Sequence, residues 1–154
     1  MIEDESAWVD GSDKLTGRFG YWPSFHDAEV LRFELKRGRI APAENVWEMP
    51  EATVVMHLWE MTDRTDEAGF LVLQKQTLAT FRFSGIDRLQ LNGFNHRNAV
   101  FELILRRKTR EDGPSPYYDI RFEPAFGIEA SFECLRIELL EAVACDAQGR
   151  VLPR

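Results

Sequence analysis

The residues best suited to chemistry lie in one short run, residues 21–29 (YWPSFHDAE), in which His26 stands beside Asp27. A carboxylate that orients an imidazole raises its basicity, so such a pair could act as a general base or hold a metal ion. In an extended chain, however, adjacent side chains point to opposite faces, so these two groups are not expected to converge. The remaining histidines, His57 and His96, stand in an apolar segment and a polar turn and complete no ligand motif.

A structural role explains the same run without a reaction. Pro23 would stiffen the loop, and Trp22 and Phe25 would fill the core beneath it. The polar side chains of residues 24–27 would satisfy backbone groups ahead of the first strand. We favour this interpretation over a small metal-dependent hydrolase built on the His-Asp pair, which remains the alternative.

Nucleophile motifs are missing from the sequence. It contains neither a G-x-S-x-G elbow nor a glycine-rich phosphate loop. Cys134 stands in an apolar strand pattern typical of an inert core thiol, and Cys145 has no basic neighbour in sequence to lower its pKa. We therefore predict no catalytic residue, no metal site and no cofactor.

The charge balance argues against a nucleic-acid partner. Among 154 residues, 26 are acidic and 19 are Lys or Arg, which gives a formal net charge of −7. Proteins that bind phosphates concentrate positive charge on one face, whereas the basic run here is confined to residues 106–110. Residues 111–146 hold nine acids and two arginines. A basic partner, or no partner, fits this balance better than a nucleic acid does.

Length and cysteine content suggest a single cytoplasmic domain. The two cysteines lack zinc-like spacing and are too few for a disulfide framework. Residues 1–10 are acidic and do not resemble a signal peptide, and no apolar run approaches the ~18 residues of a membrane span. We expect one domain over residues 1–154, with an acidic N-terminal segment (1–16) that forms a short helix ending at Gly11. A β-rich core (17–141) follows, opening on a glycine- and aromatic-rich loop at 17–22, and a C-terminal tail (142–154) ends the chain.

Alternating hydrophobicity predicts an α+β protein that is predominantly antiparallel β. About seven strands, in a curved sheet or a sandwich with one or two short helices, follow from these patterns. The predicted strands lie near residues 29–36, 53–61, 70–83, 89–91, 98–108, 118–122 and 128–139, with a hairpin tip at 63–69. In the fifth of them Phe101, Leu103 and Leu105 form the apolar phase of a strand, which we favour. A helix is the alternative there, since its spacing would be satisfied by Val100, Leu103, Ile104 and Arg107.

The last predicted strand changes phase at Cys134. Ile128, Ala130 and Phe132 share one face with Cys134, but the apolar set then moves to Leu135 and its successors. In an unbroken strand, this one-residue change of phase would expose half of these apolar side chains to solvent. We predict a β-bulge near Cys134; a strand that crosses between two sheets is the alternative.

Glu129 and Glu133 share the outward phase of that strand. The simplest interpretation is a solvated sheet face. The sharper hypothesis is a negative surface that steers a basic protein partner, because complementary fields raise association rates and reject wrong partners.

The run at residues 19–30 (FGYWPSFHDAEV) resembles the N-terminal signature of the immunity protein 50 family. Gly93-Phe94-Asn95 with Asn98 resembles that family's central turn, and residues 122–134 resemble its C-terminal strands. The resemblance implies a non-enzymatic antidote of a bacterial polymorphic toxin system that binds a cognate toxin, a basic nuclease domain being one candidate. A structural or oligomeric scaffold is a further alternative. The candidate partner-binding residues are Trp22, Phe25, His26, Asp27, Glu129 and Glu133.

Overall fold

A computed structural model describes residues 4–153, and most of them lie in strands. The strands are β1 (Val9–Asp10), β2 (Glu29–Lys36), β3 (Ile40–Ala41), β4 (Val46–Trp47), β5 (Glu51–Thr65), β6 (Leu71–Ser84), β7 (Asp87–Asn92), β8 (Val100–Lys108), β9 (Tyr117–Pro124), β10 (Glu129–Cys134) and β11 (Arg136–Ala144). The helix α1 spans Asp13–Phe19, and short 3-10 helices cover Glu5–Trp8 and Pro42–Glu44. Within this part of the chain, no helix is long and apolar enough to cross a membrane.

Two sheets face each other across one core. The larger has the strand order β1-β11-β6-β5-β2 and the smaller β7-β10-β9-β8, while β3 and β4 form a separate ribbon. Every pair is antiparallel except β1 with β11. The ring of Phe83 in the larger sheet lies 5.1 Å from that of Phe132 and 6.3 Å from that of Phe122 in the smaller. The predicted antiparallel β architecture is confirmed, in its sandwich form.

The strand count of about seven was wrong, because eleven strands are present in the described residues. Three of the additional strands, β1, β3 and β4, are two residues long and too short to show a hydrophobic period. The fourth arises because the predicted strand at 128–139 is two strands in different sheets.

The phase change at Cys134 is a crossing between sheets, so the predicted β-bulge at this position was wrong. β10 ends at Cys134 in the smaller sheet and β11 begins at Arg136 in the larger. Leu135 makes the step, and its N–H donates to the carbonyl of Ser84 at 2.9 Å, beside the similar crossing from β6 to β7. Each half-strand thereby keeps its own apolar phase toward the shared core.

The opposite side of the sandwich is joined by hydrogen bonds between β2 and β8. Val30 N–H donates to the carbonyl of Asn98 at 2.9 Å, and Val100 N–H donates to that of Ala28 at 2.8 Å. Because the end of the loop before β2 is bound in this way, residues 26–28 are fixed against the start of β8.

The N-terminal segment differs from its predicted form. A 3-10 helix precedes β1, Gly11 has a φ of 82°, and α1 then runs through Gly17, where a loop at 17–22 was expected. Leu15 and Phe19 of α1 are buried in the core, so tertiary packing outweighs the glycine within this helix. At the other end, β11 continues to Ala144, into the stretch expected to be a tail.

The β5–β6 hairpin is longer than the sheet around it. β2 pairs with β5 only as far as His57, and β11 pairs with β6 only from Thr77, so residues 58–76 extend past both neighbours. Thr65 pairs with Leu71, which confirms the predicted hairpin tip. The base of this extension forms one wall of the site described next.

Candidate functional site

The loop before β2 brings His26 and Asp27 together, contrary to the expectation that they would point apart. Phe25 and Asp27 have positive φ values of 62° and 68°, and Ala28 N–H donates to the carbonyl of Phe25 at 3.1 Å. The segment is therefore a tight turn, and the alternation of an extended chain does not apply. His26 Nε2 lies 3.7 Å from Asp27 Oδ2, and both side chains are about half exposed.

His26 is also bound to the start of β8. Its Nδ1 lies 2.9 Å from the carbonyl oxygen of Phe101, and because a carbonyl only accepts, Nδ1 carries the proton in the neutral ring. The imidazole contacts the Phe101 ring edge-on, with centroids 5.3 Å apart. Nε2 is left facing Asp27 at the surface. Within residues 4–153 no three His, Cys, Asp or Glu side chains are grouped closely enough to share a metal ion.

Phe25 lies in the packed interior and the partly buried Trp22 packs against it, as the structural interpretation predicted. Phe25 is only 3% exposed. Its ring centroid lies 5.4 Å from that of Trp22 and 5.7 Å from that of Phe81 on β6. These two aromatic side chains fix the loop on the core, whereas Tyr21, Ser24 and His26 are exposed and Asp27 is about half exposed.

A cleft of about 230 Å³ opens between this loop and the base of the β5–β6 extension. It is lined by Tyr21 and by residues 23–26 and 58–61. At its edge the carboxylate of Glu60 accepts hydrogen bonds from Tyr21 Oη and Gln74 Nε2, and Lys75 Nζ lies 3.5 Å away. Trp59 and Met61 supply its apolar side.

This hydrogen-bonded group is poorly suited to acid–base catalysis at neutral pH. The hydrogen bond to Glu60 raises the pKa of Tyr21 to about 12. The hydrogen bonds from Tyr21 and Gln74 lower the pKa of Glu60. The phenol thus stays protonated and the carboxylate stays ionised, whereas a general acid or base works best with a pKa near the operating pH.

A second, wider depression lies on the other side of His26. It has a volume of about 340 Å³ and is lined by Glu5, Ser24, His26, Phe101, Glu102 and Leu103. Burial raises the pKa of Glu5, and the negative charges of Glu102 and Asp4 add to this effect. Hydrogen bonds from the Leu105 backbone and the Trp22 side chain act in the opposite direction.

Phe101 was expected in the apolar phase with Leu103 and Leu105, but it is 53% exposed. An irregular register between Val100 and Glu102 shifts the phase, so Val100 occupies the core instead. Phe101 and Glu102 were therefore not recognised as parts of a site. Trp59 and Glu5 were missed as well, because they belong to no motif in the sequence. Nothing in the local pattern marks the bulge that exposes Phe101.

Glu129 and Glu133, also proposed for partner binding, lie on the outer face of the smaller sheet, away from the loop. Glu129 is exposed, in a shallow depression with Arg121 and Glu123. Glu133 is less available, because its Oε1 is buried and lies 3.4 Å from Nη2 of Arg110. Much of the negative charge predicted for the last strands is thus offset by neighbouring arginines.

Neither cysteine is placed for nucleophilic chemistry. Burial raises the pKa of Cys134 to about 12. Burial also raises the pKa of Cys145, and the nearby charge of Asp146 adds to the effect. Because the thiolate is the reactive form, both thiols are held in their unreactive state.

Comparison with known families finds one match, to the family described as Immunity protein 50, over residues 11–143. This range runs from the turn before α1 almost to the end of β11 and includes every strand of the two sheets except β1. No curated protein and no solved structure matches the chain.

Proposed function

Because the chain belongs to the immunity protein 50 family, we propose that it neutralises a cognate toxin by binding the toxin domain, with no reaction of its own. The observation that carries this proposal is the family match over residues 11–143, which covers all of the sandwich except β1 and the last residue of β11. The toxin would then be inactivated by occupation of a surface it needs. Tight, specific docking is sufficient for this role.

The chemistry of the molecule supports a binding function. The phenol of Tyr21 has a pKa of about 12, and the thiol of Cys134 has a pKa of about 12. His26 is held by a backbone carbonyl on one side and faces a single carboxylate on the other. A rigid sandwich with its motif aromatics in the core supplies the preorganised surface that tight binding favours.

We expect the partner to be a basic domain that acts in the cytoplasm. The net charge of −7 favours encounter with a positive surface, through a field that salt screens. A nuclease domain is one basic toxin of this kind, because it must attract phosphates. An acidic inhibitor could occupy such a cleft in place of the nucleic acid.

The test is coexpression with the toxin domain encoded next to this gene. We expect the toxin alone to arrest growth, and coexpression of this protein to restore it. The purified pair should form a complex with a Kd in the nanomolar range or tighter by calorimetry, roughly 12 kcal/mol of binding free energy. A toxin domain from an unrelated system serves as the control.

The proposal fails if growth is not restored and the purified proteins do not associate. It also fails if growth is restored without any complex while the toxin is chemically altered, because that would indicate an enzyme.

A further inference from the structure

Two depressions meet at His26, and each has both aromatic and carboxylate side chains in its walls. The cleft on the β5 side presents Tyr21 and Trp59 with the carboxylate of Glu60. The depression on the β8 side presents Phe101 with the carboxylates of Glu5 and Glu102. Ser24 and His26 line both. We call this continuous surface the His26 saddle.

The saddle is negative and lacks basic side chains in its walls. Across residues 4–153, the part that the structure describes, neither depression is lined by Lys or Arg. Lys75 lies behind Glu60 and offsets that charge. The charges that act on Glu5, however, are those of Glu102 and Asp4, and both raise its pKa. Asp27 adds a further carboxylate at the rim, beside Nε2 of His26.

Large apolar side chains are exposed on both sides of His26. Tyr21 is 49% exposed, Met61 52% and Phe101 53%. An exposed aromatic ring is costly to leave in water, and aromatic residues dominate the energetic centres of protein interfaces. The carboxylates of Glu5 and Glu102, which no Lys or Arg among the described residues of their depression neutralises, disfavour a purely apolar partner and also a phosphate-bearing one.

A guanidinium group satisfies both features of this surface. It is planar and weakly hydrated, so it stacks on an aromatic ring, and its five N–H donors match carboxylate oxygens in pairs. Lysine carries the same charge but is a strongly hydrated point charge without the planar surface. The aromatic walls therefore favour arginine.

We propose that the His26 saddle binds an arginine side chain of the toxin, which stacks on Phe101 and donates hydrogen bonds to Glu102 and Glu5. This inference rests on the proposed function and deepens it by naming the surface and the partner chemistry. The outer face of the smaller sheet, where Glu133 is already paired with Arg110, is then a secondary contributor.

The first test needs no toxin. The full-length protein is titrated at low salt with blocked hexa-arginine, hexa-lysine and hexa-glutamate peptides, and binding is followed by NMR through the indole signals of Trp22 and Trp59. We expect these signals to shift with hexa-arginine, to shift more weakly with hexa-lysine, and to stay in place with hexa-glutamate. Shifts confined to other parts of the molecule would overturn the proposal.

Matched variants separate the saddle from bulk charge. The Glu5→Gln/Glu102→Gln pair removes two charges while each glutamine oxygen can still accept hydrogen bonds. It should weaken hexa-arginine binding about tenfold, the effect expected when a charge-assisted hydrogen bond is lost. Glu67→Gln/Glu141→Gln removes two charges from exposed residues elsewhere and should change affinity less than about twofold. Equal losses in the two pairs would overturn the proposal.

The aromatic part is tested with Phe101→Ala against Phe94→Ala, because both rings are about half exposed and neither change empties the core. Only the first should weaken hexa-arginine binding, by roughly threefold or more.

The same variants are then measured against the toxin domain. A complex that forms with the wild type and keeps its affinity with Glu5→Gln/Glu102→Gln would refute the saddle but leave the proposed function intact. A wild-type protein that binds hexa-arginine at the saddle but not the toxin would refute the proposed function instead.

Discussion

Replacing Asn98 by alanine should destabilise the fold without touching the exposed surface. Asn98 is only 3% exposed and lies where the loop before β8 meets the start of β2. Its Nδ2 donates to the carbonyl of Asn95 at 2.7 Å and, more weakly, to that of Val30 at 3.4 Å. Its Oδ1 accepts from Asn95 N–H at 2.9 Å. Alanine removes all three hydrogen bonds.

The expected loss follows from these contacts. Each of the two short hydrogen bonds contributes about 0.5–1.5 kcal/mol net, and burying their former partners without replacement adds to that. We therefore expect Asn98→Ala to lower the free energy of unfolding by about 3 kcal/mol. For a domain of this size the melting temperature should fall by roughly 6–12 °C.

Urea unfolding followed by tryptophan fluorescence measures this loss, and circular dichroism gives the melting temperature. Asn92→Ala, on an exposed residue at the end of β7, is the matched control and should change stability by less than about 0.5 kcal/mol. If Asn98→Ala were as stable as Asn92→Ala, the assignment of this family motif to the joint between the sheets would be wrong. Folded Asn98→Ala should still bind the toxin with wild-type affinity.

Three further predictions concern titration, reactivity and backbone strain. Because the pKa of Tyr21 is about 12 in the folded state against an ordinary 10.0, the stabilisation from its hydrogen bond to Glu60 should be complete below pH 10 and lost as the pH rises to 12. Glu60→Gln should return the phenol to a pKa of about 10 in an NMR titration, and an unshifted Tyr21 in both proteins would contradict this. Cys134 and Cys145 should resist a thiol reagent at pH 8 until denaturant is added; rapid labelling of the native protein would exclude the buried placement. Gly85→Ala should lower the free energy of unfolding in urea by about 1–2 kcal/mol, because the φ of Gly85 is 72° and the new Cβ would lie 2.9 Å from the side chain of Leu135. Unchanged stability would refute the close contact at the crossing between the sheets.

The strands could be predicted from the sequence where one face is buried and the other is exposed to solvent. Ala79, Phe81 and Phe83 are fully buried on the inner face of β6, as their alternation predicted. The change of phase at Cys134 was also visible, because an uncorrected slip would expose apolar side chains. Its cause was not, since a bulge and a crossing repair the same pattern. Only the placement of the two flanking strands in different sheets distinguishes them, and that depends on contacts distant in sequence.

The candidate site was located in part, and the part that failed depends on backbone conformation. Residues 21 and 23–26 of the predicted run do line the cleft. His26 approaches Asp27, however, because Phe25 and Asp27 adopt positive φ, which a non-glycine residue seldom does. Phe101 reached the surface through an irregularity one residue long. The positive φ values and the irregular register both occur where β2 meets β8, and a contact between two strands so far apart in sequence is not visible in the local hydrophobic pattern.

The residues of the family motif therefore have two different roles, one in stability and one in binding, and their residue types alone do not show which residue has which role. Trp22 and Phe25 face the core, and Asn98 ties its own turn to β2, so their substitution should act through stability. His26 stands at the surface between two carboxylate-bearing depressions. Substitutions around it should therefore change the affinity for the partner rather than the stability of the fold. Net charge alone pointed to the acids of the last strands, yet Glu133 is paired with an arginine there. An attractive field for a basic partner depends on carboxylates that no cation neutralises. Glu5 beside Glu102 provides it, because no Lys or Arg among the described residues lines their depression and the charge of Glu102 raises the pKa of Glu5. An arginine of the toxin would offset the repulsion between the carboxylates of Glu5 and Glu102. The charges that repel each other in the free protein should therefore strengthen binding at the saddle.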